Sequence, residues 1–153
     1  MIDTEQFTLV LRKFTDAVEA GDGSALSALF TPDGTYCDGF YGEFIGREAI
    51  AKMLEQHFWG HAENFRWIMM DPVVGENIGY ARYRFSYTSK LPGVEGEQVV
   101  FEGMSQFSFR EEEIQYYREE FNTGIAVSQL KFTPEHIAKH LAKRAQAVRS
   151  RAK

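Results

Sequence analysis

Ile78-Gly79-Tyr80-Ala81-Arg82-Tyr83-Arg84-Phe85-Ser86-Tyr87-Thr88-Ser89 carries the strongest structural signal in the chain. Tyr83 and Phe85 are separated by Arg84 and flanked by Arg82 and Ser86, the two-residue period of a strand with one face turned to a core. The same period runs through 65–70, 97–109 and 114–122, each rich in Phe, Tyr, Trp, Val or Ile. Leu91-Pro92-Gly93 and the acidic turn Arg110-Glu111-Glu112-Glu113 are short links, and short links join antiparallel neighbours. The second half of the chain therefore predicts an antiparallel meander of four strands.

Upstream of it the period is helical. Phe7, Val10, Leu11, Phe14 and Val18 recur at three- and four-residue intervals and draw one apolar stripe along a helix over 5–20, stopped by Gly21-Asp22-Gly23. Ser24 caps a short second helix carrying Leu26, Leu29 and Phe30, and Thr31-Pro32-Asp33-Gly34 reads as a turn. A short strand, 35–37, and a loop bearing Gly39 and Gly42 follow. Then 47–58 places Ile50, Met53, Leu54 and His57 on one face of a third helix that ends near Gly60. Thr133-Pro134 opens a last helix, with Ile137, Leu141, Ala145 and Val148 along one side. Three helices ahead of an aromatic antiparallel sheet exclude a doubly wound fold, which needs helices and strands in alternation. The expectation is an α+β fold: a cone-shaped, curved antiparallel sheet with three N-terminal helices on its concave face, plus a C-terminal helix. Residues 1–132 form the domain and 133–153 a basic amphipathic helix.

The 153 residues suffice for one domain with a sizeable core, and 13 Phe and 7 Tyr suit walls around a hollow. A formal net charge of -5 argues against a protein that coats nucleic acid or an anionic membrane. Lys139, Lys143, Arg144, Arg149, Arg151 and Lys153 crowd the last helix and read as a solvated basic tail, the other reading being a phosphate or acidic-partner contact. Cys37 stands alone, so no intrachain disulfide forms, and no leader or apolar span is visible, which gives a cytoplasmic expectation. Phosphate loops, Walker sequences and paired zinc motifs are missing from the sequence, so no cofactor is expected.

Ala20-Gly21-Asp22, then Leu29-Phe30-Thr31-Pro32-Asp33-Gly34-Thr35-Tyr36-Cys37-Asp38, then Gly46-Arg47-Glu48-Ala49-Ile50 resemble the nuclear transport factor 2-like superfamily, in particular its SnoaL-like and ketosteroid isomerase-like branches. The resemblance covers roughly residues 5 to 125. It implies a pocketed domain among isomerases, cyclases, dehydratases, epoxide hydrolases, ligand binders and interaction modules, so fold alone settles no chemistry. Asp38 matches the place of the isomerase general base. Phe14 and Ser105 stand where that family's oxyanion hole has a tyrosine and a protonated acid; Phe14 donates no hydrogen bond, so steroid isomerisation is not expected. The SnoaL-like cyclases carry acidic or amide residues near the end of the final strand, where Arg118-Glu119-Glu120-Phe121-Asn122 lies.

The candidate catalytic residues are Asp38, Glu119 and His57. A carboxyl group at an apolar cavity loses hydration and exchanges protons nearer neutral pH; the plainer reading of Asp38 is a turn cap beside Gly39. Two-residue alternation turns Glu119 toward the pocket if Phe121 faces the core, the alternative being a cross-strand ion pair to Arg82 or Arg84. His57 is either a proton-transfer group or a hydrogen-bonded core histidine. His57 and His61 have a metal spacing on one continuous helix, but Gly60 is expected to interrupt it, so no metal site is expected. Tyr36, Trp67, Tyr83, Phe14, Phe101, Ser105, Tyr117 and Phe121 are the ligand-binding candidates, with core packing as the competing account of each. The expected activity is cofactor-independent acid/base proton transfer on a small apolar, carbonyl-bearing ligand. The alternative is a non-catalytic binding or dimerisation module, and a homodimer through the free sheet face is expected in either case.

Overall fold

The computed structural model describes residues 1–152. Helix α1, Thr4–Ala20, starts from a reciprocal capping box between Asp3 and Gln6 and ends at Gly21, whose φ of 67° suits glycine. It buries Phe7, Leu11, Phe14 and Val18 against the sheet. Helix α2, Gly23–Ser27, is capped by Asp22, whose side chain accepts from the Ala25 N–H, rather than by Ser24.

Six strands follow in the spatial order β2-β1-β6-β5-β4-β3, with β1 Phe30–Asp38, β2 Gly42–Ile45, β3 Ala62–Gly75, β4 Ile78–Ser89, β5 Gln98–Arg110 and β6 Glu113–Phe121. Strands β3 to β6 are the expected antiparallel meander. Alternation is strict where it counts: Ala81, Tyr83 and Phe85 are buried while Tyr80, Arg82 and Arg84 are exposed. The helices cover the concave face and the outer face remains open.

Several details differ from the sequence reading. Strand β1 pairs parallel to β6, so the sheet is mixed. Thr31-Pro32-Asp33-Gly34 lies inside β1, where the register against β6 slips between Phe30 and Thr35, an irregularity that accommodates Pro32 without a lost ladder bond. Strand β2 and a short helix α5, Thr123–Ser128, were not anticipated.

The third helix begins as expected, α3 Arg47–Lys52, then widens into a π-helical turn, Met53–Phe58, before a last turn α4, Trp59–His61. An i-to-i+5 turn carries the buried face from Met53 to Phe58, so Phe58 takes the inward place that α-helical spacing gives to His57. Gly60 does not stop the helix. The last helix, α6 Pro134–Arg151, opens on the Thr133 cap, but none of its residues is buried: Leu141 and Val148 are exposed and Ile137 is half-buried. Lys153 lies outside the described residues. No helix among them is long and apolar enough to cross a membrane.

Candidate active site

The parallel β1–β6 pair builds the site. Tyr36 stands opposite Tyr117 and Cys37 opposite Arg118, so the next step along both strands brings Asp38 beside Glu119 on the inward face. Asp38 is buried, and its Oδ2 accepts from the backbone N–H groups of Phe40 (2.8 Å) and Tyr41 (3.0 Å). The turn-capping role and the pocket-facing role are thus one arrangement, because the two amides that close the turn hold the carboxylate in place. Glu119 accepts from the Tyr83 hydroxyl at 2.8 Å and, at a long 3.4 Å, from the Gly39 N–H. Arg82 and Arg84 pair instead with Asp71 and Glu102 on the outer face, so the alternative ion pair for Glu119 is not formed.

Two glycines make this approach possible. A Cβ on Gly103 would lie 2.6 Å from the Tyr83 hydroxyl oxygen, and one on Gly39 would lie 2.2 Å from the Phe121 ring. Only a bare backbone at 103 lets the Tyr83 phenol pass to Glu119.

The two carboxyls stand side by side on neighbouring strands and line the same pocket. Burial pushes Glu119 well above the usual carboxylate range, and the adjacent Asp38 charge pushes it further. Burial also raises Asp38, but the Phe40 and Tyr41 amides, Glu119 and the Arg144 guanidinium favour its ionised form. Both carboxyls are pushed toward the protonated form, Glu119 the more strongly, so the pair titrates together rather than as two independent acids. Burial pushes the Tyr83 phenol far up, so it remains a donor, and pushes the Tyr41 phenol up to about 12.

Both acids open on a pocket of about 290 Å³, near the small end of the roughly 300–1,000 Å³ typical of ligand sites. Trp67, Phe101 and Phe121, three of the ligand-binding candidates, line it, as do His57, Phe58, Phe65 and Phe85. Trp67 is pinned through its backbone N–H, which donates to Glu19 at the end of α1 (2.8 Å). The remaining candidates lie beneath the pocket floor. Phe14, Tyr36, Ser105 and Tyr117 are fully buried in the core, with Ser105 and Tyr117 sharing a 2.9 Å hydrogen bond, and Tyr83 is buried behind Glu119. His57 sits at the rim, half-buried against Tyr41 and Phe44, with no hydrogen bond to either acid. Among the described residues no cluster of three or more His, Cys, Asp or Glu could hold a metal.

Sequence reasoning missed the other side of the mouth. Tyr41 bonds His61 Nδ1 at 3.2 Å, and Phe132 and His140 close the opening from the C-terminal segment. His140 is anchored to the Thr123 hydroxyl at 2.7 Å and packs on Phe40; burial, then Arg144 and Lys143, lower its pKa. Nothing in the chain before β6 signals that a helix beyond it returns to the pocket.

Residues 11–117 match the family model of the SnoaL-like domain. No curated protein matches the chain by sequence. Among solved structures, a protein of ketosteroid isomerase-like fold from Catenulispora acidiphila, in complex with trimethylamine, is 20% identical, with a TM-score of 0.71 over 82% of this chain and 97% of its own. A putative polyketide cyclase from Xanthomonas campestris is 22% identical, with a TM-score of 0.68 over 82% and 97%. An epoxide hydrolase of the LEH-like type from M. tuberculosis is 15% identical, with a TM-score of 0.69 over 85% and 88%. At these identities the likeness is one of fold.

Proposed function

The chain belongs to the SnoaL-like domain family, and from that premise we propose that it is a small-molecule enzyme that moves protons on an apolar, carbonyl-bearing ligand with its own side chains. The observation that carries this reading is the pairing of buried Asp38 with half-buried Glu119 on adjacent strands, both lining one aromatic pocket. Asp38 takes a proton from the carbon next to the ligand carbonyl. Glu119 delivers one to the oxygen or to a second carbon, and the pair resets by passing a proton between its carboxyls. Such positioned acid/base groups contribute roughly 10²–10⁴-fold. His57 serves at the rim as a ligand contact rather than as a partner of the acids.

The test is exchange of the protons next to the carbonyl of α-tetralone, a bicyclic ketone scaled to the pocket, in deuterated water. Wild-type protein accelerates it, and Asp38→Asn slows it at least a hundredfold, within the range above. An Asp38→Asn protein that exchanges at the wild-type rate would end the proposal.

Pairing with a second copy of the chain through the outer sheet face is part of the same reading. Val73 lies opposite Tyr80 across β3 and β4, and Met104 opposite Arg82 across β4 and β5; Val73, Tyr80 and Met104 are 62%, 46% and 59% exposed on that face. Exposed apolar side chains gathered on one face favour a protein partner.

A further inference from the structure

Of the three buried side-chain polar atoms without a hydrogen-bond partner among the described residues, two lie beneath the pocket, the Tyr36 hydroxyl and the Trp67 indole N–H, and the third is the Thr31 hydroxyl in β1. Their isolation is not a general feature of the core. Trp59 donates its indole N–H to the Val18 carbonyl at 3.0 Å, Tyr83 donates to Glu119, and Tyr117 is engaged with Ser105. A buried donor left without a partner costs stability, and folded chains leave few of them.

The two orphans are neighbours through shared rings. Tyr36 and Trp67 both pack on Phe14, at centroid distances of 6.1 and 5.3 Å, and both face Tyr117, at 4.5 and 6.3 Å. Trp67 is itself a wall of the pocket, and Tyr36 is screened from it by Phe58, which stands edge-on at 6.4 Å and lines the pocket. Phe58 ends the π-helical turn, an irregular segment of a kind often found at functional sites. Behind the rings, burial and the Glu119 and Asp38 charges hold the Tyr36 phenol protonated, so its hydroxyl keeps a proton to donate.

We propose that Tyr36 and Trp67 are the polar end of the ligand site: their hydroxyl and indole N–H receive the oxygen of a ketone or enolate that enters past Phe58 from the pocket above. This rests on the reading of the pocket as a small-ligand site and names its ligand class more closely. The ligand is a one- or two-ring molecule with a hydrogen-bond acceptor at its deep end and an exchangeable carbon within reach of Asp38. As negative charge develops on that oxygen, the two donors stabilise it without having to reorganise. In this chain they would supply what Phe14, between them, lacks the hydroxyl to supply.

The experiment compares binding of α-tetralone with that of tetralin, the same rings without the carbonyl, to wild type, Tyr36→Phe and Trp67→Phe. Wild type should prefer the ketone by about tenfold or more, and Tyr36→Phe should lose roughly three- to tenfold of that preference while binding tetralin unchanged. The free Tyr36→Phe protein should unfold at the same urea concentration as wild type or a higher one, because the hydroxyl it loses bonds to nothing; a hydroxyl with a structural role would lower the midpoint. Heteronuclear NMR supplies the readout for Trp67, whose replacement also leaves a void: α-tetralone should move the indole N–H resonance missing from Trp67→Phe, and tetralin should not. Equal affinity of wild type for both probes, or full ketone preference in Tyr36→Phe with a still indole resonance, overturns the assignment while leaving the pocket intact. If neither probe binds, the pocket reading falls and this inference with it.

Discussion

Glu119→Gln tests the acid pair without a substrate. Glutamine keeps the volume and an acceptor for the Tyr83 hydroxyl, but it presents to Asp38 a permanent donor where glutamic acid presents one only while protonated. Because burial and the Asp38 charge raise the proton affinity of Glu119 in the fold, the folded state binds this proton more tightly than the unfolded chain. Below the ordinary glutamate value, about 4.3, both states are protonated and the group is neutral to stability. As pH climbs from there to the raised native value the unfolded chain releases the proton first, so stability falls with rising pH. The slope approaches its one-proton limit of about 1.4 kcal/mol per pH unit and flattens once the native group also ionises. With a urea dependence of about 2 kcal/mol per molar, that is roughly 0.7 M of urea midpoint per pH unit. Glu119→Gln should lack this component. The assay is urea unfolding followed by tryptophan fluorescence from pH 4 to 9 at fixed protein concentration, plotted as variant minus wild type so that the other carboxylates cancel. The difference should start near zero at the acid end and grow in favour of the variant as pH rises past the ordinary glutamate value. A difference curve that stays flat would mean an ordinary, ionised Glu119, and the acid half of the proposed mechanism would have no proton to give.

Two further perturbations bear on the same geometry and on the outer face. Gly103→Ala puts a methyl group 2.6 Å from the Tyr83 hydroxyl oxygen; with ordinary contact beginning near 3.4 Å, the phenol must move away and its bond to Glu119 lengthen. The pH-dependent loss of stability should extend to higher pH because Glu119 loses the donor that favours its ionised form, and a pH profile superimposable on wild type would refute the link. On the outer face, Tyr80→Lys with Met104→Glu should convert a dimer to a monomer in sedimentation at micromolar concentration while leaving α-tetralone binding intact; a wild-type protein that sediments as a monomer would refute the sheet-face pairing.

What could be read from the sequence divides along the range of the interaction. The meander was legible because period-two burial is a local property, and Tyr83, Phe85, Phe101 and Phe107 all turn inward as their spacing requires. Glu119 was legible as an inward residue for the same reason. The meeting of Asp38 with Glu119 was not, because it depends on β1 lying parallel to β6 across about eighty residues of chain, and the short links visible in sequence speak only for antiparallel neighbours. The position of His57 failed for a third reason: one π turn moves every later side chain off the α-helical stripe, and no residue between Met53 and Phe58 announces it. His140 was passed over because the last helix carries too weak an apolar stripe to suggest docking, and its anchor is a single polar contact with Thr123.

The features that escaped the local rules gather in one place. An acid whose proton affinity is raised by desolvation and by its neighbour, a second whose carboxylate accepts from two backbone amides, two unpartnered donors and a π-helical turn all lie in or beneath one pocket. Each lowers stability or departs from regular geometry, whereas away from the pocket the core is largely paired aromatic packing, as in Phe7 against Phe107 and Phe109, with the Thr31 hydroxyl the one other buried side-chain polar atom without a partner among the described residues. A chain selected only to fold would have little reason to keep them: Gln at 119, Phe at 36 and an unbroken α-helix would all serve it better. Local conflicts concentrated at a single concave site are what selection for binding and chemistry leaves behind, since sites that must recognise a ligand hold their donors and acids in readiness at the expense of the free protein. On that argument Glu119→Gln and Tyr36→Phe should behave alike in one respect: both leave the ligand-free protein as stable at neutral pH as it was, or more so, while weakening what it does with a ketone. Loss of stability in both would place these groups among the ordinary supports of the fold.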